Sequence, residues 1–161
     1  MRNENLRRVC EGLGLARVST VISSGNVVFE TDTGDLPGLE DRLERAWPGE
    51  LGFQSTTIIR TRDDLRGLVD LEPFGGLEHG RETYLLVTFS KSTLEVTVDL
   101  PFQPEDGGFR LLHATDRELF TVTDTTQRFT PDVMQWVEAR FGKEITSRTW
   151  LTVARILKKM G

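Results

Sequence analysis

Thiols, imidazoles and membrane-length apolar runs are all scarce in this chain, and each scarcity removes a class of function. Cys10 is the single cysteine, so no internal disulfide can form and no thiolate cluster can hold zinc or iron–sulfur. Two histidines, His79 and His113, stand far apart, without HxxxH or His/Cys/carboxylate ligand spacing, so no metal is expected. No stretch is apolar enough for a bilayer, and no membrane partner is expected. P-loop, GxGxxG and GxSxG signatures are lacking too; Gly75-Gly76 and Gly107-Gly108 are isolated pairs suited to turns, and no cofactor is implied. The opening MRNENLRRVCEG is polar and helical in pattern rather than a secretory leader, giving an expectation of cytoplasmic residence.

What is present suits a folded protein. With 161 residues, 37% hydrophobic and 28% charged, the chain can form one compact unit or two small halves, burying about two-thirds of the surface an unfolded chain exposes. No repeat or low-complexity tract interrupts it. Charge is uneven: net −5 overall, yet +4 from Arg128 onward. That asymmetry suits an anion-facing surface, or simply the preference of helix C-termini for Lys and Arg.

Leu6, Val9, Cys10 and Leu13 follow helical spacing behind Asn5 as cap, which also reads Cys10 as a core residue rather than a reactive thiol. Arg17 to Ile22 and Val27 to Thr31 read as strands joined by Gly25-Asn26 in a type II′ turn. A helix over 36–47 puts Leu39, Leu43, Ala46 and Trp47 inward and Glu40, Asp41, Arg42 and Glu44 toward water, with Pro48-Gly49 as its stop. Ser55 to Arg60 reads as a strand, and Thr61 to Asp64 opens a short helix carrying Leu65, Leu68 and Val69.

Past the glycine-rich, charged stretch Glu72 to Glu82, a strand is expected at Tyr84 to Ser90, an extended stretch at Leu94 to Leu100, a turn around Pro104 to Gly108, and a hairpin of 109–114 with 118–123. Thr130-Pro131 opens a helix stopped by Gly142, and a final helix is expected from Ser147 to Met160. Strands and helices in this order predict an α+β architecture with mainly antiparallel sheet, in an N-terminal half over 1–74, a joint at 75–82 and a C-terminal half over 83–161.

Two stretches carry a family resemblance: Ser23-Ser24-Gly25-Asn26-Val27-Val28-Phe29, and Gly142 to Val153, which contains Thr146-Ser147-Arg148-Thr149-Trp150-Leu151-Thr152. With Pro73-Phe74 between them, the chain resembles domain of unknown function 1697, a family of uncharacterised bacterial proteins with SGNVVF and TTRNWNTV-like motifs. The resemblance implies two packed ferredoxin-like (α/β plait) halves and no assigned reaction. Thr149 and Leu151 stand where that family usually has asparagines, which weakens any site built on side-chain amides there. The family's opening strand and glycine-rich loop have no counterpart before the first helix, so the first strand of the N-terminal half is expected to be missing. A late start site, a substitute such as Leu94 to Leu100, or a strand from a second chain would each account for it.

Candidate ligand-binding residues fall in the same two stretches. Thr146, Ser147, Arg148, Trp150 and Thr152 offer hydroxyls, a guanidinium and helix-start amides able to hold phosphate or carboxylate; alternatively they cap, pack and pair structurally. Ser24, Gly25 and Asn26 place a hydroxyl and an amide at a tip that ligand could approach, or form only a turn that needs glycine. Catalytic residues are not identifiable: Asp63-Asp64 and Glu105-Asp106 lie at a helix start and a turn, where solvated carboxylates are ordinary. Phe29, Tyr84, Phe89 and Phe120 lie on strands without a basic-aromatic cluster, and net charge is negative, so nucleic acid is the weakest partner. The leading expectation is a binding or interaction module for a small anionic ligand or protein partner, with homodimerisation open; an enzyme using the same cleft near Arg148 is the alternative.

Overall fold

The computed structural model describes residues 2–23, 25–105, 108–126 and 133–161. It is α+β, with an antiparallel two-stranded and an antiparallel four-stranded sheet. The chain divides into two compact units: Met1–Arg62 with Ala154–Gly161, and Asp63–Val153.

In the first unit, α1 (Asn3–Gly12) buries Leu6 and Cys10, four residues apart on one face. Arg2, not Asn5, precedes its first turn; the asparagine with a structural task is Asn3, whose Nδ2 donates to the Ile22 carbonyl at 2.9 Å. β1 (Ala16–Val21) and β2 (Asn26–Glu30) pair antiparallel. The connection is longer than the expected two-residue turn: Val21 pairs with Asn26, so Asn26 is already in the strand, and Ile22 (φ 51°) and Gly25 (φ 80°) supply the left-handed backbone.

α2 (Leu36–Leu51) starts where Asp35 accepts the Gly38 N–H at 3.0 Å, an ordinary side-chain cap. It runs through Pro48, which was expected to stop it, and ends at Gly52 (φ 81°), whose N–H reaches the Pro48 carbonyl. A proline this close to the C-terminal end forfeits one helical bond, while continuing the helix lets Leu51 pack against the core. That core joins Leu6, Cys10, Leu15, Leu39, Leu43 and Trp47, with Val27, Phe29 and Ile59 against it.

Two readings of this region are corrected. Glu40, expected to face water, is buried at 3% exposure, and its Oε2 accepts the Ile59 N–H at 2.8 Å. Ser55 to Arg60, expected to be a strand, pairs with no strand among the described residues. Instead the Thr57 N–H reaches Glu44 Oε1 at 3.0 Å, and Trp47 Nε1 donates to Thr57 Oγ1 at 2.7 Å. Carboxylates from α2 thus take the place of a neighbouring strand's carbonyls as acceptors for these two amides.

Burial pushes the Cys10 thiol up to about 11, with Glu11 adding to the shift. Because the folded state holds the proton more tightly, the linked stability is complete below about pH 9 and is lost as pH rises toward 11. At neutral pH, native protein is expected to react with a disulfide reagent at least tenfold more slowly than urea-unfolded protein. Equal rates would mean that Cys10 is accessible.

The second unit opens with α3 (Arg62–Asp70), which buries Leu65 and Leu68. Its sheet comprises β3 (Tyr84–Ser90), β4 (Phe109–Ala114), β5 (Glu118–Thr123) and β6 (Ile145–Thr149), in the order β4-β5-β3-β6. The expected 109–114/118–123 hairpin is present; Leu94 to Leu100 joins no ladder, and only Phe102 bridges to Leu111. α4 (Val133–Phe141) ends at Gly142 (φ 87°), as expected, while its Thr130-Pro131 opening lies outside the described residues, as do Asp106 and Gly107 of the Pro104–Gly108 turn.

Alternation gives this sheet two apolar faces. On one, Leu86, Phe109, Leu111 and Leu119 pack with Val133 and Val137 of α4. The opposite face carries Leu85, Val87, Phe120 and Val122, with Phe74 edge-on to Phe120 at 5.6 Å. Since β3 and β5 are central, β5 is buried along its whole length.

Candidate functional site

The last helix was expected from Ser147, with Thr146 or Ser147 as its cap, and the structure places Thr146 to Thr149 in β6 instead. The run Ile145-Thr146-Ser147-Arg148-Thr149 pairs residue for residue with Ser90 back to Leu86, and α5 (Trp150–Met160) starts immediately after it. A β-branched, polar run beside the open edge of β3 gains a ladder of backbone bonds, which outweighs its weak helical preference. The cap moves accordingly: Thr149 Oγ1, not Thr146 or Ser147, accepts the Thr152 N–H at 3.2 Å.

This strand assignment divides the candidate residues between two faces. Ser147 and Thr149 lie on the α4 side, where Ser147 Oγ is 2.7 Å from Thr88 Oγ1 and 2.8 Å from Met134 Sδ. Those contacts tie Ser147 into the packing beneath α4. Thr146 and Arg148 lie on the opposite face, beside Phe89 and Val87 respectively. Arg148 Nη1 donates to Thr146 Oγ1 at 2.7 Å and to the Ser147 carbonyl at 2.8 Å.

Burial lowers the Arg148 pKa, because desolvation penalises the charged form. A guanidinium nevertheless stays protonated in proteins, so the site holds a partly desolvated cation that counts the Thr146 hydroxyl and the Ser147 carbonyl among its partners. Trp150, at the first turn of α5, sets its ring edge-on to Phe74 at 5.3 Å and to Phe120 at 6.2 Å. Thr152 is buried, 3.0 Å from Thr149 through its hydroxyl. Trp150 and Thr152 therefore anchor the helix start, leaving Thr146 and Arg148 as the pair with polar chemistry on that face.

Asn26 is buried at 7% exposure, and its Nδ2 donates to the Val21 carbonyl at 3.1 Å, closing the hairpin loop. Gly25 provides the left-handed turn, and Ser24 lies outside the described residues. This hairpin belongs to the first unit, whereas Thr146 to Thr152 belong to the second.

Sequence reasoning missed the acceptor roles of Glu40 and Glu44. Their one signal was the i, i+4, i+7 spacing of Glu40, Glu44 and Trp47, which aligns two carboxylates with a buried ring. His79 was missed as well: its Nδ1 accepts the Leu85 N–H at 3.1 Å, and its ring lies 5.0 Å from that of Tyr84. Among the described residues no group of three or more His, Cys, Asp and Glu could hold a metal ion, and no helix is long and apolar enough to cross a membrane.

A family model described as protein of unknown function (DUF1697) matches residues 1–120, a span that contains Ser23 to Phe29 and stops short of Gly142 to Val153. A solved structure of a conserved bacterial protein from Streptococcus pneumoniae is similar, with 17% identity and a TM-score of 0.64, covering 99% of this chain and 89% of that one. Identity this low speaks for a shared fold alone. No curated protein matches significantly.

Proposed function

Starting from a chain that belongs to the DUF1697 family, we propose that it is a cytoplasmic binding module whose second unit takes a small anionic ligand, a phosphate or carboxylate, at Arg148 and Thr146. The observation that carries this reading is the partly desolvated Arg148 guanidinium, which meets neutral oxygens in its contacts with Thr146 and Ser147. Guanidinium geometry suits the paired oxygens of phosphate or carboxylate, and the Thr146 hydroxyl beside it can join in holding them. The strand order β4-β5-β3-β6 supports a plait-like reading of this unit, with residues 91–105 non-helical where a plait has its first crossover helix. A single buried thiol suits a reducing compartment.

Titration with inorganic phosphate and with citrate, followed by calorimetry, tests the site. Arg148→Ala should weaken binding by about tenfold or more, the cost of one charge-assisted hydrogen-bonding group, and Arg148→Lys should fall between. Unchanged affinity in folded Arg148→Ala would reject the site.

A further inference from the structure

We propose that His79 is a pH-sensitive latch on the start of β3, closed while its imidazole is neutral and released when the ring takes up a proton. The ladder between β3 and β6 runs from Ser90 opposite Ile145 to Leu86 opposite Thr149, where the chain turns into α5. Leu85 lies one residue further along β3, past the last β6 pairing. Its N–H is taken instead by His79 Nδ1 at 3.1 Å. Leu85 has no exposed surface, so water is a poor substitute for that acceptor.

One protonation state of the ring alone can make this bond. A neutral imidazole carries one N–H and one bare nitrogen, and with Nδ1 accepting, the proton sits on Nε2. Protonation puts an N–H on Nδ1 as well, and two donors then face each other across the same gap. The rest of the turn has no part in this chemistry. Thr83 Oγ1 donates to the Glu78 carbonyl, the Gly80 N–H to the Thr83 carbonyl, and the Thr125 N–H and hydroxyl both to the Arg81 carbonyl. Amides and hydroxyls keep their protons near neutral pH, so the turn stays formed while its grip on β3 opens.

The surroundings of the imidazole leave the switch unopposed. Tyr84, on β3, sets its ring 5.0 Å from that of His79. Glu78, Arg81 and Glu82 share the turn and are exposed, and among the described residues none of them pairs with the imidazole. No carboxylate among those residues stands ready to hold an imidazolium where Nδ1 now accepts. Histidine side chains in general change charge between about pH 5 and 8, so the Leu85 bond is present toward the upper end of that range and lost toward the lower.

Amide exchange of the full chain, corrected for its intrinsic pH dependence, should show Leu85 protection falling about tenfold or more between about pH 7.5 and about pH 5, with Val87 unchanged. His79→Asn, whose side-chain oxygen can stand where Nδ1 does, should keep Leu85 protected across the range. His79→Phe should leave it poorly protected throughout. Constant wild-type protection, a fall shared equally by Val87, or a fall undiminished in His79→Asn would overturn the latch. Should either variant lose its native circular dichroism, nitrogen chemical shifts of the wild-type imidazole decide: a neutral ring protonated on Nε2 supports the assignment, and one protonated on Nδ1 rejects it.

Discussion

Replacing Phe120 with alanine is expected to lower the unfolding free energy by about 3–5 kcal/mol, the range for a fully enclosed aromatic ring. Phe120 has no exposed surface, and its ring lies 5.6 Å from Phe74, 5.8 Å from His113 and 6.2 Å from Trp150. Its place on central β5 leaves no direction in which backbone can slide to fill the hole. Urea titration followed by near-ultraviolet circular dichroism measures the loss. Tyr84→Ala serves as the control: Tyr84 is 36% exposed, and a much smaller loss is expected. A Phe120→Ala loss below about 1 kcal/mol, the level of an ordinary surface or boundary change, would remove the ring from the core.

Glu40→Ala should cost about 1–3 kcal/mol, because it strips the Ile59 N–H of its acceptor where water enters poorly. Glu40→Gln separates two causes. It keeps a side-chain oxygen at nearly the same position, so most of the stability should return if the acceptor matters, and little if the charge does. Amide exchange at Ile59 gives the local readout: fast in the alanine variant, protected in the glutamine variant. Wild-type protection and stability in Glu40→Ala would show that this carboxylate does not hold residues 55–60.

Part of the candidate site was legible as a list of residues but not as a geometry. Arg148, Trp150 and Thr152 stand close in sequence, and a hydroxyl-rich run before an amphipathic segment points to a helix start. That argument fixes the cap only to within a few residues. Three positions of displacement turned Thr146 and Ser147 from cap candidates into strand residues on opposite faces, because a strand alternates where a helix rotates. Trp150 was readable as an anchor, while its partner Phe74 lies far back in the chain.

By itself the sequence determined the α+β class, the hairpin of β4 and β5, inward positions such as Leu6, Leu39, Leu43, Leu65, Val137 and Val153, the buried thiol and the family, since each rests on local periodicity, turn residues or short motifs. Tertiary structure alone decided that α2 continues through Pro48, that Glu40 is buried, that residues 55–60 lean on glutamates rather than a strand, and that β6 forms where a helix was expected. Those outcomes depend on which distant backbone donor or open sheet edge lies within hydrogen-bonding reach. Such proximity is created by packing and is not written in any local window of residues.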